Sequence, residues 1–306
     1  MTRASAGERP GWEGYLFGPV DATAAAAFRI GLACMCAIVF WPADLLLSRE
    51  VSVYPFVADL YPSLFKTAPW HWLQLGGLAL FGLGLRPRWV GPVLVLCLFP
   101  GCFEIGPRRS RQILLFALLA FSLVASDTRR FPIPWRPAGR VHRSAGPIWP
   151  IRLIQLQLAL CYAVNAVAKL TPEYLDGSVL ILLSEQRSNF LVDLSDGNLY
   201  LGPLVVPTWL CAVGTVLVES ALAVGFWFRR TRLATAAMGV AFHMGLKLIV
   251  AIGFLDWASM FLYSAFLLPF ETHHEVHKSA AVGSSGGARG RPRRRKRRRR
   301  RGTPGR

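Results

Sequence analysis

Among the ionisable side chains that lie inside long apolar runs, where few such groups are tolerated, Arg29, Lys169, Glu219, His243 and Lys247 are the candidates for chemistry. On insertion scales a charged residue in hydrocarbon costs about 2.5–3.5 kcal/mol, so such a residue faces a cavity or a partner. Lys169 ends its run and admits two chemistries. As an ammonium at a helix end it can snorkel to the membrane edge with its stem in lipid. Held partly desolvated at the rim of a cavity, it can offer a neutral amine as a general base. His243 and Lys247 are four residues apart and share a helix face. Glu219 and His243 fall near mid-depth of consecutive runs. They are either an interhelical bond that fixes packing or the lining of an active cavity, with Arg29 as a further candidate cavity residue.

Other residue patterns carry less. His273 and His277 have the i, i+4 spacing of two metal ligands on a helix, but no third and fourth ligand follow in order. No metal site is expected, and 271–277 is read as a solvated juxtamembrane segment. The six cysteines lie mostly in apolar runs, where a thiol behaves as a small hydrophobe. Cys34-Met35-Cys36 has the wrong spacing for a zinc or redox pair. Gln155 and Gln157 are read as polar glue between helices. Walker, G-x-S-x-G and H-E-x-x-H patterns are absent.

The elements that must position these residues follow from composition. Of 306 residues 53% are hydrophobic and 17% charged, with a mean hydropathy of +0.38. A soluble domain is about a quarter charged, so an integral membrane protein is expected. Apolar runs recur at 23–47, 70–85, 89–105, 112–125, 151–170, 203–228, 233–252 and 255–270. The expected fold is all-α, a polytopic transmembrane bundle of about eight helices, although the second, fourth and eighth runs are short for about 30 Å of hydrocarbon. Residues 1–22 form a cytoplasmic N-terminal segment that lacks the basic-then-apolar pattern of a cleaved signal peptide. Residues 23–270 form the membrane domain, with a lid or short amphipathic helix at about 171–202 on the outer side.

Retention of Lys and Arg on the cytoplasmic side orients the chain in the cell membrane. With both termini cytoplasmic, the inside loops Arg86-Pro87-Arg88, 128–143 and Arg229-Arg230-Thr231-Arg232 are all basic, while 171–202 carries five carboxylates against Arg187. One loop disagrees. Residues 107–111 are basic yet fall outside, so either the third and fourth runs form a re-entrant hairpin or this charge serves something other than topology.

The formal charge of +18 is largely a property of the tail. Twelve positive charges, among them the run Arg293–Arg301, lie in 289–306 without an acidic residue; the rest of the chain carries +6. Residues 271–306 are expected to be disordered. Membrane lipids are the expected partners, with anionic headgroups nearest the tail at about 1 kcal/mol per basic residue. The tail has no aromatic residue on which a base could stack, which argues against nucleic acid.

The run Pro147-Ile148-Trp149-Pro150-Ile151-Arg152, continuing through Gln155, Gln157, Cys161-Tyr162, Asn165 and Lys169, resembles the HTTM domain. That membrane domain is shared by vitamin K-dependent gamma-glutamyl carboxylase and its bacterial relatives. Tyr174-Leu175-Asp176-Gly177 is similar to the aromatic-x-x-Gly turn after the family's lysine. Phe28-Arg29-Ile30-Gly31, Leu118-Leu119-Ala120-Phe121 and Gly239-Val240-Ala241-Phe242-His243 are similar to further family segments. The resemblance implies a quinol chemistry. The lysine deprotonates reduced vitamin K, oxygen adds, and the strong base formed takes a proton from a substrate glutamate that then accepts CO2. That lysine corresponds to Lys169, and reduced vitamin K or another quinol to the cofactor. Two features depart from the pattern. A functional histidine expected before Leu118 is replaced by Gln112, and only the basic tail follows residue 277 where the carboxylase has its propeptide-binding lumenal domain. A carrier or scaffold that kept the fold without the reaction is the alternative reading.

Overall fold

The computed structural model describes residues 12–40, 68–102, 109–123, 144–186, 190–250 and 255–267. The loop at 48–67, the basic loop 128–143, His273, His277 and the arginine run lie outside the described residues. A short α1 (Trp12–Phe17) and strand β1 (Pro19–Asp21) lead into α2 (Ala22–Phe40), followed by α3 (Ala68–Leu83) and α4 (Pro87–Leu98), which runs on as a 3-10 turn over Phe99–Cys102. Next come α5 (Arg109–Ser122), β2 (Ser144–Pro147), α6 (Trp149–Ala168), α7 (Pro172–Leu175) and α8 (Ser178–Gln186). The hairpin β3 (Asn198–Leu201) and β4 (Leu204–Pro207) precedes α9 (Thr208–Gly225), α10 (Arg232–Ile249), α11 (Leu255–Leu262) and α12 (Ser264–Leu267).

Each of the eight apolar runs therefore holds a helix. Three of these, α2, α6 and α9, are long and apolar enough to cross a membrane by length and composition. The all-α expectation needs one amendment, because two antiparallel ribbons are present. β1 pairs with β2 and β3 with β4. The first ties the entry of α2 to the entry of α6, with Ile148 N–H donating to Gly18 O at 2.9 Å. The second closes a segment expected to hold a short amphipathic helix or a lid, which contains α7 and α8 and then the first strand of a hairpin.

The core is aromatic and aliphatic. Phe28 of α2 packs against Phe121 and Phe261 at centroid distances of 5.5 and 5.4 Å, and Leu114, Leu118, Ile151 and Ile154 are fully buried. Gly31 lets the Phe261 ring approach, since a Cβ there would stand 2.5 Å from its edge. Two of the resembling segments, 28–31 and 118–121, are thus packing surfaces of the core.

Buried arginines fasten helix ends. Arg29 Nε donates to Gly82 O at 3.2 Å, one residue before α3 ends. Arg111 Nη1 donates to Gly101 O at 2.5 Å and Nε to Val39 O at 3.3 Å, in the last turn of α2. A cation at a helix C-terminus satisfies carbonyls without an intrahelical partner and opposes the negative end of the helix dipole. The topological conflict at 107–111 is eased on this basis. Arg111 is buried and serves packing, so its charge says nothing about side.

Candidate functional site

The site is organised on one face of α6. Gln155, Tyr162 and Lys169 are seven residues apart, which is within about 20° of two full turns, so the three stack on a common stripe. Arg152, Leu158 and Ala166 continue that buried stripe, while Leu156, Leu160, Val164 and Val167 on the opposite side are exposed. The amphipathic split decides which way Lys169 looks. It caps the C-terminus of α6 and lies on the buried stripe, so its stem runs into the protein rather than along the apolar outer face.

Its amine meets Glu219 of α9. Lys169 Nζ donates to Glu219 Oε1 at 2.6 Å, with the lysine side chain 27% exposed and the glutamate 6%. The second oxygen, Glu219 Oε2, is buried and has no hydrogen-bond partner among the described residues. A buried carboxylate oxygen left without a hydrogen bond costs about 1–3 kcal/mol, so this one has room for a further hydrogen-bond donor. Glu219 is eleven residues into α9, about 16 Å from its start. The end of α6 therefore abuts the middle of α9.

α7 supplies the third wall. Thr171 caps it, its Oγ1 accepting from Tyr174 N at 3.3 Å, and Pro172 takes the first helical position, where a missing N–H does no harm. The Tyr174 ring lies 5.8 Å from Lys169 Nζ. Burial pushes the Tyr174 phenol up to about 12; the nearby Glu219 and Cys211 add to the rise, against a hydrogen bond with Thr215 that lowers it. At neutral pH it keeps its proton and can donate a hydrogen bond. Gly177 closes the turn at φ +90°, and a Cβ there would stand 2.7 Å from the Trp209 amide nitrogen. The aromatic-x-x-Gly pattern is thus read as a tyrosine set against the lysine and a glycine that lets the chain close onto the first turn of α9.

Two turns below Lys169 lies a second polar cluster. Tyr162 OH bonds to His243 Nε2 at 2.8 Å and to Tyr263 OH at 2.5 Å. Gly239, one turn before His243, makes room for the Tyr263 ring, whose hydroxyl would be 2.7 Å from a Cβ at that position. All three side chains are buried. Glu219 and His243 thus each reach α6, at levels set by Lys169 and Tyr162. Lys247 lies 4.4 Å from the centre of the Trp257 ring. Arg29 bonds to α3, as above, and Gln155 Nε2 donates to Ala265 O at 2.6 Å while its Oε1 accepts from Arg152 at 2.9 Å.

Sequence reasoning found Lys169, Glu219 and His243 as separate intramembrane polar groups. It placed Tyr162 and Tyr174 only within the family-like segments and gave neither a role at the site, and it missed Tyr263, since a tyrosine in an apolar run is no anomaly by composition. The signal available was the seven-residue spacing of Gln155, Tyr162 and Lys169. Among the described residues no group of three or more His, Cys, Asp or Glu could hold a metal ion.

A helical body with three helices fit to cross a bilayer, and an ion pair buried between two of them, is that of a membrane protein. The model of the HTTM domain matches residues 110–269, a little over half of the chain, and the chain belongs to that family. The match contains Lys169, Glu219, His243 and the segments around them; Phe28–Gly31 lies before it. No curated protein and no solved structure matches the chain.

Proposed function

We propose that this chain is a multi-pass membrane enzyme of the carboxylase-like kind, with both termini cytoplasmic, in which Lys169 and Glu219 take a proton from the hydroxyl of a lipid-soluble quinol. The observation that carries the proposal is the pairing of Lys169 Nζ with a buried carboxylate whose Oε2 has no hydrogen-bond partner among the described residues. An ammonium is no base. Glu219, 2.6 Å away, can hold the proton that Nζ must give up, and the pair then passes from charged to neutral with no net charge change in an apolar surround. Nζ then accepts the proton of a substrate hydroxyl and is an ammonium again, and Glu219 releases its own proton to water at the exposed side of the pair, which restores the starting ion pair with one proton lost per hydroxyl deprotonated. Oε2 gives that hydroxyl an acceptor, and Tyr174 keeps water from one side of Nζ. When bound, a quinol supplies the acidic hydroxyl and two electrons, which oxygen takes up in the chemistry the family resemblance implies. Arg29 holds α3 in this scheme, and His243 supports α6 through Tyr162. The arginine-rich tail is proposed to rest on anionic headgroups.

A non-enzymatic carrier or scaffold is the second reading, and Gln112 favours it, standing where the resemblance calls for a histidine. Purified protein assayed for oxygen-dependent consumption of a reduced quinone, beside Lys169→Ala, separates the two. Turnover lost on substitution is expected. No turnover in either, or equal turnover in both, overturns the enzyme reading.

A further inference from the structure

The hairpin that precedes α9 is built unlike a water-facing lid. From Gly197 to Val218 the chain carries no charged residue, so β3, β4 and the first half of α9 form one uncharged run. The charges stop at its base, where Asp193 and Asp196 close two tight turns by accepting from Ser195 N and Asn198 N at 2.9 and 3.0 Å. At the far end the turn is Gly202-Pro203. Gly202 takes φ +63°, the left-handed conformation that two-residue hairpin turns require at their first central position. Around that tip Leu201 and Leu204 are 48% and 58% exposed, and no described atom lies within 4 Å of where a Cβ on Gly202 would stand. The Gly202 side of the tip is thus open, and Leu201 and Leu204 are exposed beside it, while Leu199 further down β3 is buried.

Position along α9 says what covers it. Glu219 sits about 16 Å from the start of α9, and it is bound there by Lys169 at the end of α6. The segment joining Lys169 to Thr208 must therefore run beside the first half of α9, and Gly177, against Thr208 and Trp209, marks its passage. If α9 crosses the hydrocarbon, its first half lies in one leaflet. The hairpin is continuous with that half, with Trp209 and Leu210 exposed directly after β4. An aromatic residue at this junction is suited to the headgroup level.

We infer that the β3–β4 hairpin is a membrane-dipping element, its Leu201–Leu204 tip seated among the acyl chains of the leaflet in which α9 begins and its Asp193–Asp196 base at the headgroups. The occupant is lipid. The inner edges of the two strands are paired to each other by the ladder from Asn198–Pro207 to Leu201–Leu204, and at the tip Pro203 has no N–H to satisfy; the outer edges have no ladder partner, which limits the dip to the upper acyl region, within reach of headgroups and their water. The inference rests on the crossing of α9 and is independent of any catalysis at Lys169.

A nitroxide label tests it. Full-length Leu204→Cys and Asp193→Cys chains are labelled and reconstituted in phosphatidylcholine–phosphatidylglycerol vesicles, with the labelled unsubstituted chain subtracted to remove its native thiols. Collision with oxygen, which concentrates in acyl chains, is compared with collision with a water-soluble nickel chelate. At 204 oxygen is expected to exceed the chelate by several-fold, and at 193 the order reverses. A label at 204 that meets the chelate as freely as one at 193 overturns the inference in favour of an aqueous lid. A label at 204 shielded from both overturns it in favour of protein cover. Leu201→Cys repeats the test should the 204 chain fail to insert.

Discussion

Two polar clusters hang from the same stripe of α6, seven residues apart, and they differ in how completely they are satisfied. Around Tyr162 the hydroxyls of two tyrosines and the ring of His243 bond to one another, and all three side chains are buried. Around Lys169 the groups are charged, the lysine is a quarter exposed, and one carboxylate oxygen is left over. A buried network whose side chains bond to one another fixes how helices pack. A charged pair with spare acceptor capacity at the edge of the protein has room for one more group. The comparison teaches that intramembrane polarity alone does not mark a site; polarity with an unspent hydrogen bond does.

Removing one partner of the ion pair is the most severe way to break that contrast. Lys169→Met leaves Glu219 buried and uncompensated. The expected loss of stability is on the order of 3 kcal/mol, the low end for a buried pair because the lysine is partly exposed. The double variant Lys169→Met, Glu219→Leu should recover most of it, as read by chemical denaturation in detergent, and both should lack quinol turnover. A double variant no more stable than the single one would mean that the pair is not the source of the cost.

Tyr162→Phe tests the closed cluster. It removes one hydrogen bond each from His243 Nε2 and the Tyr263 hydroxyl, at an expected cost of about 1–3 kcal/mol, with turnover per folded molecule held within a few-fold. Turnover that collapses while the fold survives would instead place Tyr162 in the chemistry and erase the distinction drawn here.

The smallest effect concerns acid. Asp176 and Asp193 are held below the ordinary carboxylate range, Asp176 by side-chain and backbone hydrogen bonds with Ser178 and Asp193 by backbone and side-chain bonds with Ser195. A lowered folded-state pKa means that the turn is stabilised above the unfolded value of 3.8 and loses this support as pH falls through the folded value. Hydrogen exchange in 176–197 should therefore rise below about pH 4, while protection around Tyr162 stays flat. Equal loosening of both regions would deny the separate role of the turns.

Much of the body was legible because hydrocarbon imposes its own pattern. Runs of apolar residues long enough to be helices stand out without any knowledge of contacts, and each of the eight holds a helix. Helix α6 even carries its inner face openly, in the spacing of Gln155, Tyr162 and Lys169. The two ribbons were not legible. β1 and β2 are separated by more than a hundred residues, and Leu204–Pro207 reads as the start of an apolar helix until the glycine at φ +63° shows the turn. Nor could the sequence separate Arg111 from the topological charges around it. A guanidinium bonded to the end of another helix and one in solution have the same letter.

The sequence by itself determined that this is an apolar helical chain of the HTTM family, with Lys169, Glu219 and His243 as groups too costly to leave in lipid without partners. The helical character and the costly groups follow from composition, period and local order along the chain, and the family from the resemblance of its motifs. Which partner each group has was a matter for the tertiary structure. Glu219 is fifty residues from Lys169, and His243 eighty-one from Tyr162, so only the packing of α9 and α10 on one stripe of α6 could turn them into an open ion pair and a closed hydrogen-bonded cluster.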